Sequence, residues 1–523
     1  MNTSPSPILA EKLPGQEHEE KSTLNNNEKL FEHAASTKNH DPNWTGDGID
    51  TTSVDPRRTL RKMDLRLIPM LALLYLLSFL DRGNIGNAKI AGMEEDLSLS
   101  GPQYSLCATV FFFTYCAFEV PSNLLLKRFR PSVWLPSIMV AWGTVMTLMG
   151  LVQNYHGLLI ARIFLGIAES GLYPGVAYYL TMWYVTEELA FRQGLFFSAA
   201  SMAGAFSGLL AYAISKMDGV GGYAGWRWIF ILEGILTVVV AVVAFFFLHD
   251  FPDTATFLTV EERAWVVHRL KYQGSKKSGR AIAESDHFEW KYVVRALSDW
   301  QIYVSLFMYW AGIVCPLYGI SFFLPTIIAD LGYTSTTAQL LTIPIYVSAA
   351  VLAILLCWLS DRAVKRGASR WVYIFVPMCA ILVGFVMAIA ASATGSAPGV
   401  VYAGIFIAVC GIYPAFPQNV TWIANNLAGS YKRAAGMAVQ IGLGNLGGAF
   451  ASNFYRAKDK PKFLLGHGLE LGFVVMGMFA VLVLRFAYGR INAQREKSGK
   501  AHGLTDAELS DLGDKSPSFR YTI

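Results

Sequence analysis

The chain has 523 residues, of which 53% are hydrophobic and 15% charged, with a formal net charge of +5 at pH 7. A soluble globular protein carries about 25% charged residues, so most of this chain is composed to sit in lipid, and so small a charge, spread over loops, argues against nucleic acid as a partner. The six cysteines lie in apolar segments without paired spacing, and none of the nine histidines sits deep in an apolar run, which argues against a disulfide framework or a metal site.

Residues 1–62 are polar, rich in Glu, Asn, Lys and Ser, and lack the basic start and short apolar core of a signal peptide; they read as a disordered cytoplasmic tail. A helix needs about 20 residues to cross the hydrocarbon layer. Apolar runs of that size fall near 67–90, 103–126, 132–153, 158–184, 194–215 and 226–248, giving a first six-span unit over 63–248. Segment 249–299 is polar, and its Thr259-Val260-Glu261-Glu262 opens a short amphipathic helix through a capping box. Apolar runs resume near 300–326, 336–359, 371–393, 399–422, 435–455 and 468–489, a second six-span unit over 300–490, followed by a polar tail over 491–523. The reading is an all-α membrane protein with 12 transmembrane helices in two six-helix bundles.

Lys and Arg in short loops set the orientation. They cluster before the first span (Arg57, Arg58, Arg61, Lys62, Arg66), after the second (Lys127, Arg128, Arg130) and after the eighth (Arg362, Lys365, Arg366, Arg370). Both termini are therefore expected in the cytoplasm, although Arg456, Lys458, Lys460 and Lys462 oppose that assignment.

The halves repeat one another. GLYPGVAYYLT (residues 171–181) returns 240 residues later as GIYPAFPQNVT (411–421), and Gly204 and Gly208 return as Gly444 and Gly448. Parallel repeats of this kind are the mark of major facilitator transporters.

Ionisable groups at mid-membrane cost roughly 2.5–3.5 kcal/mol each, so each needs a reason. The first span has a clean apolar run of only 14 residues, 67–80. At 1.5 Å per residue that covers about 21 Å, so Asp81-Arg82-Gly83-Asn84 is carried into the bilayer. Asp81, Asn84 and Ala88 share one face and Arg82 and Gly86 the adjoining one; the charges either line a polar cavity or pair with another helix. In the fourth span Arg162, Glu169 and Tyr173 form one stripe at i, i+7 and i+11. A carboxylic acid in such a place is a candidate proton carrier. The plainer alternative is a helix-gluing network of Asp81, Arg82, Arg162 and Glu169. Glu119, close in sequence to Lys127 and Arg128, reads as a gate or packing residue at the cytoplasmic end, and Glu233 as structural. Tyr318, Tyr413, Trp422, Gln440 and Asn445 are weaker candidates for contact with a solute.

On these residues the chain resembles the anion:cation symporter branch of the major facilitator superfamily, and within it the fungal allantoate permease group, which includes nicotinate, pantothenate and biotin transporters. The likeness rests on LSFLDRGNIGNA (77–88), FEVPSNLLLKRFRPS (118–132), ARIFLGIAESGLYPG (161–175), GWRWIFILEG (225–234) and SFRYTI (518–523), and it spans about 55–490. It implies that Arg82 holds a substrate carboxylate while Asp81 and Glu169 carry a coupled proton. The implied substrate-binding set is Arg82, Asn84, Arg162, Tyr173, Tyr318, Tyr413 and Asn445, and the gating set is Glu119, Arg128, Asp361 and Arg362. The branch's Gly-x-x-x-Asp-Arg gating motif lacks its Asp in the first half, at residues 124–128, and keeps it in the second, at Asp361-Arg362, so Glu119 is a substitute for the first-half latch. The antiporter motif of drug exporters is missing from the fifth span, which favours uptake. The expected protein is a monomeric, proton-coupled importer of a small organic anion in the plasma membrane, with no metal, no cofactor beyond the proton, and no catalytic residues. An exporter or organellar carrier of the same fold is the alternative, and a membrane enzyme or sensor the remote one.

Overall fold

Capping side chains fix where the helices begin. Asp55 accepts from the amides of Arg57 and Arg58 and places Pro56 at the start of α1 (Pro56–Ala88). Ser100 and Gln103 bond reciprocally to open α2 (Gly101–Arg128), and Pro131 opens α3 (Pro131–Met149). Asn154 caps α4 (Tyr155–Glu169), which continues after a break at Ser170 and Gly171 as α5 (Leu172–Thr181). Then come α6 (Leu189–Ser215) and α7 (Gly225–Phe247), which complete the first half. Two short helices, α8 (Val260–Lys271) and α9 (Trp290–Leu297), lead to the second half. It consists of α10 (Trp300–Tyr309), α11 (Cys315–Asp330), α12 (Ser335–Val364), α13 (Val372–Thr394), α14 (Pro398–Asn426), α15 (Ser430–Ala451) and α16 (Leu464–Ser498). A final short helix, α17 (Asp506–Leu512), runs on into a 3-10 turn at Gly513–Lys515, a bend and turn at 516–518, and the irregular tail 519–523. This computed structural model describes residues 44, 48–272, 290–333, 335–394, 398–455, 459, 462–498 and 506–523, and no strand occurs among them.

Eleven helical stretches are long and apolar enough to cross a membrane, α4 with α5 and α10 with α11 each counting as one. The twelfth expected span, 435–455, exists as α15 but is not among them. The physical reason is its content of glycine with Gln440 and Asn445: it is buried between other helices and has little need of a lipid-facing surface. The seventh span is interrupted by a π-helical turn at Trp310–Val314, a distortion common at functional sites. Against expectation, α1 starts at Pro56 and not after residue 62, because Asp55 supplies a cap there. Residues 1–43 and 45–47 of the expected tail, and Arg456, Lys458 and Lys460 of the discordant loop, lie outside the described residues.

Within each half, helices approach closely where side chains are absent. A methyl group on Gly234 of α7 would sit 2.9 Å from the Gly143 carbonyl oxygen of α3, nearer than carbon and oxygen can pack without a shift. Between the halves, α2 packs on α15 and α6 on α12. Ser201 donates to the Tyr346 carbonyl at 2.7 Å, and Asn123 to the Ala434 carbonyl at 2.8 Å. The starts of α1 and α6 and the ends of α12, α14 and α16 share one side of the molecule, called here the terminal face.

The capping box at Thr259 forms, and α8 docks on the start of α1. Glu262 accepts from Lys62 at 2.6 Å and from the Thr259 amide at 3.0 Å. Partial burial works to raise the Glu262 carboxyl, but the Lys62 bond, the Thr259 amide and the Lys62 charge outweigh it, and the group lies below the ordinary glutamate value. A lowered folded-state value stabilises docking above the free-glutamate range, and that contribution disappears as pH falls through the lowered value. Intrinsic-rate-corrected amide exchange of α8 is therefore expected to be slow at neutral pH and to quicken in acid; protection independent of pH would remove Glu262 from the docking.

Candidate functional site

In the last third of α1, Ser78 and Arg82 stand one turn apart on the face toward the seam. Both meet Glu169 at the end of α4: its Oε1 lies 2.5 Å from Arg82 Nη2 and accepts from Ser78 Oγ at 2.6 Å. Arg82 Nη1 donates across the seam to the Tyr318 hydroxyl on α11, which in turn donates to Asn445 Oδ1 on α15 at 3.2 Å. Three rings, Phe79, Phe111 and Tyr115, surround the guanidinium with centroids 5.2–5.5 Å from Cζ. The pair is almost wholly removed from solvent, with Arg82 7% and Glu169 1% exposed. Such a pair persists only if its geometry repays desolvation, which a short, three-way hydrogen-bonded contact does. Even so, Arg82 Nε and Glu169 Oε2 have no hydrogen-bond partner.

Aromatic layers close the space on both sides. Toward the terminal face Phe197 of α6 stacks on Phe416 of α14 at 4.0 Å, and Tyr173 and Tyr309 pack against Phe416. Tyr413 packs beside Phe197 and Tyr346. Toward the opposite face Phe112 meets Tyr318 and Phe322 edge-on.

Beyond the first layer, at the terminal face, lies a polar lock. Asp361 at the end of α12 accepts from the amides of Ala190 and Phe191, 3.3 and 2.7 Å away, in the first turn of α6. A carboxylate there is favoured both by the free amides and by the helix dipole. Arg370 holds the same carboxylate at 2.9 Å and reaches the Thr186 carbonyl of the first half at 3.2 Å. Glu188 pairs with Lys365 and Arg269, and Arg192 grips Asp64 with two parallel bonds of 2.9 and 2.8 Å.

The structure thus brings together Arg82, Glu169, Tyr318 and Asn445, with Tyr173 and Tyr413 in the layer beneath them. It separates others. Asp81 is turned away from the seam: its Oδ2 accepts from Trp142 Nε1 on α3 and Thr237 Oγ1 on α7, both at 2.9 Å. Asn84 follows it and donates to Glu233 at 2.7 Å. The face carrying Asp81 and Asn84 serves the packing of the first half, and neither residue lines the seam. Arg162 donates to the Cys107 carbonyl at 3.2 Å and lies 4.9 Å from the Phe111 ring, the same ring that Arg82 approaches at 5.5 Å, and it has no hydrogen bond to Glu169. Glu119 is no partner of the exposed Arg128. Fully buried, with neither carboxylate oxygen hydrogen-bonded, it packs on Gly442 of α15 and neighbours Arg82 and Asn445. Nine residues along a helix carry it about 13 Å from Arg128 toward the membrane centre. Of the second-half motif, Asp361 spans the seam, whereas Arg362 only covers the Trp358 ring. His467, at the start of its apolar run and so not deep in one, is nevertheless buried in α16 with Nδ1 3.1 Å from the Tyr455 hydroxyl.

Ser78, Phe111, Tyr115 and Arg192 escaped the sequence reading, and Arg370 entered it only as a loop charge. Only Ser78 carried a usable signal, its position one turn before Arg82.

Two all-helical halves joined along a seam, with a buried ion pair on it and a polar lock at one end, form a membrane transporter. Residues 71–452 match the Major Facilitator Superfamily, and the chain belongs to that family. It is 36% identical over 478 residues to the MFS-type transporter cnsO of Penicillium expansum, covering 89% of this chain and 90% of that one. It is 33% identical over 482 residues to the high-affinity nicotinic acid transporter of Saccharomyces cerevisiae, covering 91% and 86%. In fold it is similar to the proton:xylose symporter XylE, with a TM-score of 0.58 at 14% identity over 80% of this chain and 94% of that one. These relatives are transporters, not enzymes.

Proposed function

We propose that the protein takes up a small organic anion, a carboxylate of the nicotinate or pantothenate kind, together with a proton, by partner exchange at Arg82. The carrying observation is that the Arg82 guanidinium, midway between the aromatic layers on the seam, is already occupied by Glu169 at 2.5 Å. An incoming carboxylate offers the same planar, two-oxygen face to the guanidinium fork. It displaces Glu169, and a displaced carboxylate left charged and without its countercharge at this depth costs roughly 2.5–3.5 kcal/mol, a cost that taking up a proton relieves. Anion and proton therefore load together, and the net charge on the seam is unchanged. The halves then rock, the lock at Asp361 opens, and release lets Glu169 return to Arg82. The kinship to a nicotinic acid transporter supports a carboxylate as cargo. The basic loops support a cytoplasmic terminal face, the plasma membrane is part of the proposal, and a single chain supplies every residue of the site.

Uptake of labelled nicotinate, pantothenate, biotin, allantoate and ureidosuccinate in cells, with and without an inward proton gradient, tests this reading. One of these acids is expected to accumulate only with the gradient, and Glu169→Gln to reduce uptake to gradient-independent equilibration. Equal gradient-driven accumulation by Glu169→Gln would remove Glu169 from proton coupling.

A further inference from the structure

The tail after α17 is held in a groove at the terminal face, and the contacts read its backbone. Asn492 of α16 bonds both the amide and the carbonyl of Tyr521, each at 2.9 Å. Asn426 of α14 does the same to Thr522, accepting at 2.7 Å and donating at 3.0 Å, and Trp422 adds a second donor to the Thr522 carbonyl at 2.8 Å. The Ile523 carbonyl accepts from the Arg370 amide at 2.5 Å, just before α13. One side chain is read as well: the Tyr521 ring stacks on Tyr488 at 4.6 Å and 15°, with the Arg495 guanidinium 4.8 Å from its centroid. Its hydroxyl donates to Asp514, which pairs with Lys432. Two asparagines each holding both polar groups of one residue do what a neighbouring strand would do, so the groove recognises an extended peptide as a sheet edge does, with one aromatic pocket for register.

The groove continues into the lock. The same Arg370 whose amide holds Ile523 holds Asp361 with its guanidinium, and Asp361 caps α6 of the other half. Arg370 is itself wholly buried and reaches Thr186 of the first half.

We propose that this groove is a peptide-binding site for residues 518–523 of the chain itself, and that its occupancy holds Arg370 where the terminal face can close. With the groove empty, the loop before α13 loses its backbone tie to Ile523, α16 loses the ring stacked on Tyr488, and Arg370 is no longer presented to Asp361 in one geometry. The segment is thus a tethered ligand that tightens the closed terminal face. This inference rests on the transporter fold and on the seam, not on proton coupling, so it fails or stands separately from the reading of Glu169.

The test uses the purified chain ending at Pro517 and a fluorescent SFRYTI peptide. Saturable binding is expected to the shortened chain and not to the full one, weakened roughly tenfold by Asn426→Ala, the equivalent of about 1.4 kcal/mol. Spin labels on Glu187 and Arg366 report the terminal face: their distances should lengthen in the shortened chain and return when peptide is added. No saturable binding, or binding that leaves the distances unchanged, overturns the proposal. Should the shortened chain fail to fold, full-length Asn426→Ala/Asn492→Ala answers the same question. Faster amide exchange at Tyr521 and Thr522 together with longer label distances supports the link; faster exchange with unchanged distances overturns it.

Discussion

Arg82→Lys is expected to lower uptake of the carried acid by roughly ten- to a hundredfold while the protein still inserts and folds. The substitution keeps the charge, so Glu169 is not left as an unpaired buried anion. It removes the fork that now serves Glu169 and Tyr318 at once. A lysine ammonium is a point donor without the planar two-bond match to a carboxylate, and one lost charge-assisted bond is worth about 1.5–3 kcal/mol. The defect should appear mainly in the apparent affinity for the acid, with uptake partly recovered at high concentration. Arg82→Ala should be worse on both counts, because a buried partner deprived of its countercharge destabilises by about 3–5 kcal/mol. Transport by Arg82→Lys within twofold of the parent, at matched surface levels, would show that the guanidinium does not hold the cargo.

Asp361→Ala is expected to have the second large effect, this time on conformation. Asp361 is 5% exposed and ties three groups together: the Arg370 guanidinium and two amides at the start of α6. Removing it leaves Arg370 buried beside the seam with only carbonyl and neutral side-chain acceptors. If about 3 kcal/mol of that loss falls on the closed arrangement alone, the ratio of closed to open shifts on the order of a hundredfold. Distances between spin labels on Glu187 and Arg366 should move to the longer, open population, and uptake against a gradient should fall. A distance distribution identical to that of the parent would mean that the lock does not set the closed state. Arg362→Ala is the companion variant, and because Arg362 covers only the Trp358 ring it should leave the distances unchanged.

Much of this was legible before any coordinates. Span positions follow from the length of apolar runs, and the repeat at 171–181 and 411–421 gave the two halves. The split of α1 into an Asp81–Asn84 face and an Arg82 face follows from helical periodicity, and the structure keeps it. Which face meets the seam was not legible, because Trp142 and Thr237, which claim Asp81, lie about 60 and 160 residues away and look like ordinary membrane residues. Glu119 was misplaced for a related reason: sequence neighbours suggest a depth in the membrane, but only the approach of Gly442 from the other half shows what the side chain meets. The lock was half visible. Asp361 belongs to a motif, whereas Arg370, which completes it, reads as one more loop charge, and its partners come from Thr186 and the tail.

The structure of the protein with its acid bound tests partner exchange at Arg82 most directly. The account predicts the carboxylate on the Arg82 guanidinium, with Glu169 moved off from its present 2.5 Å contact and still bonded to Ser78. An acid seated elsewhere on the seam, with the Arg82–Glu169 pair intact, would contradict it.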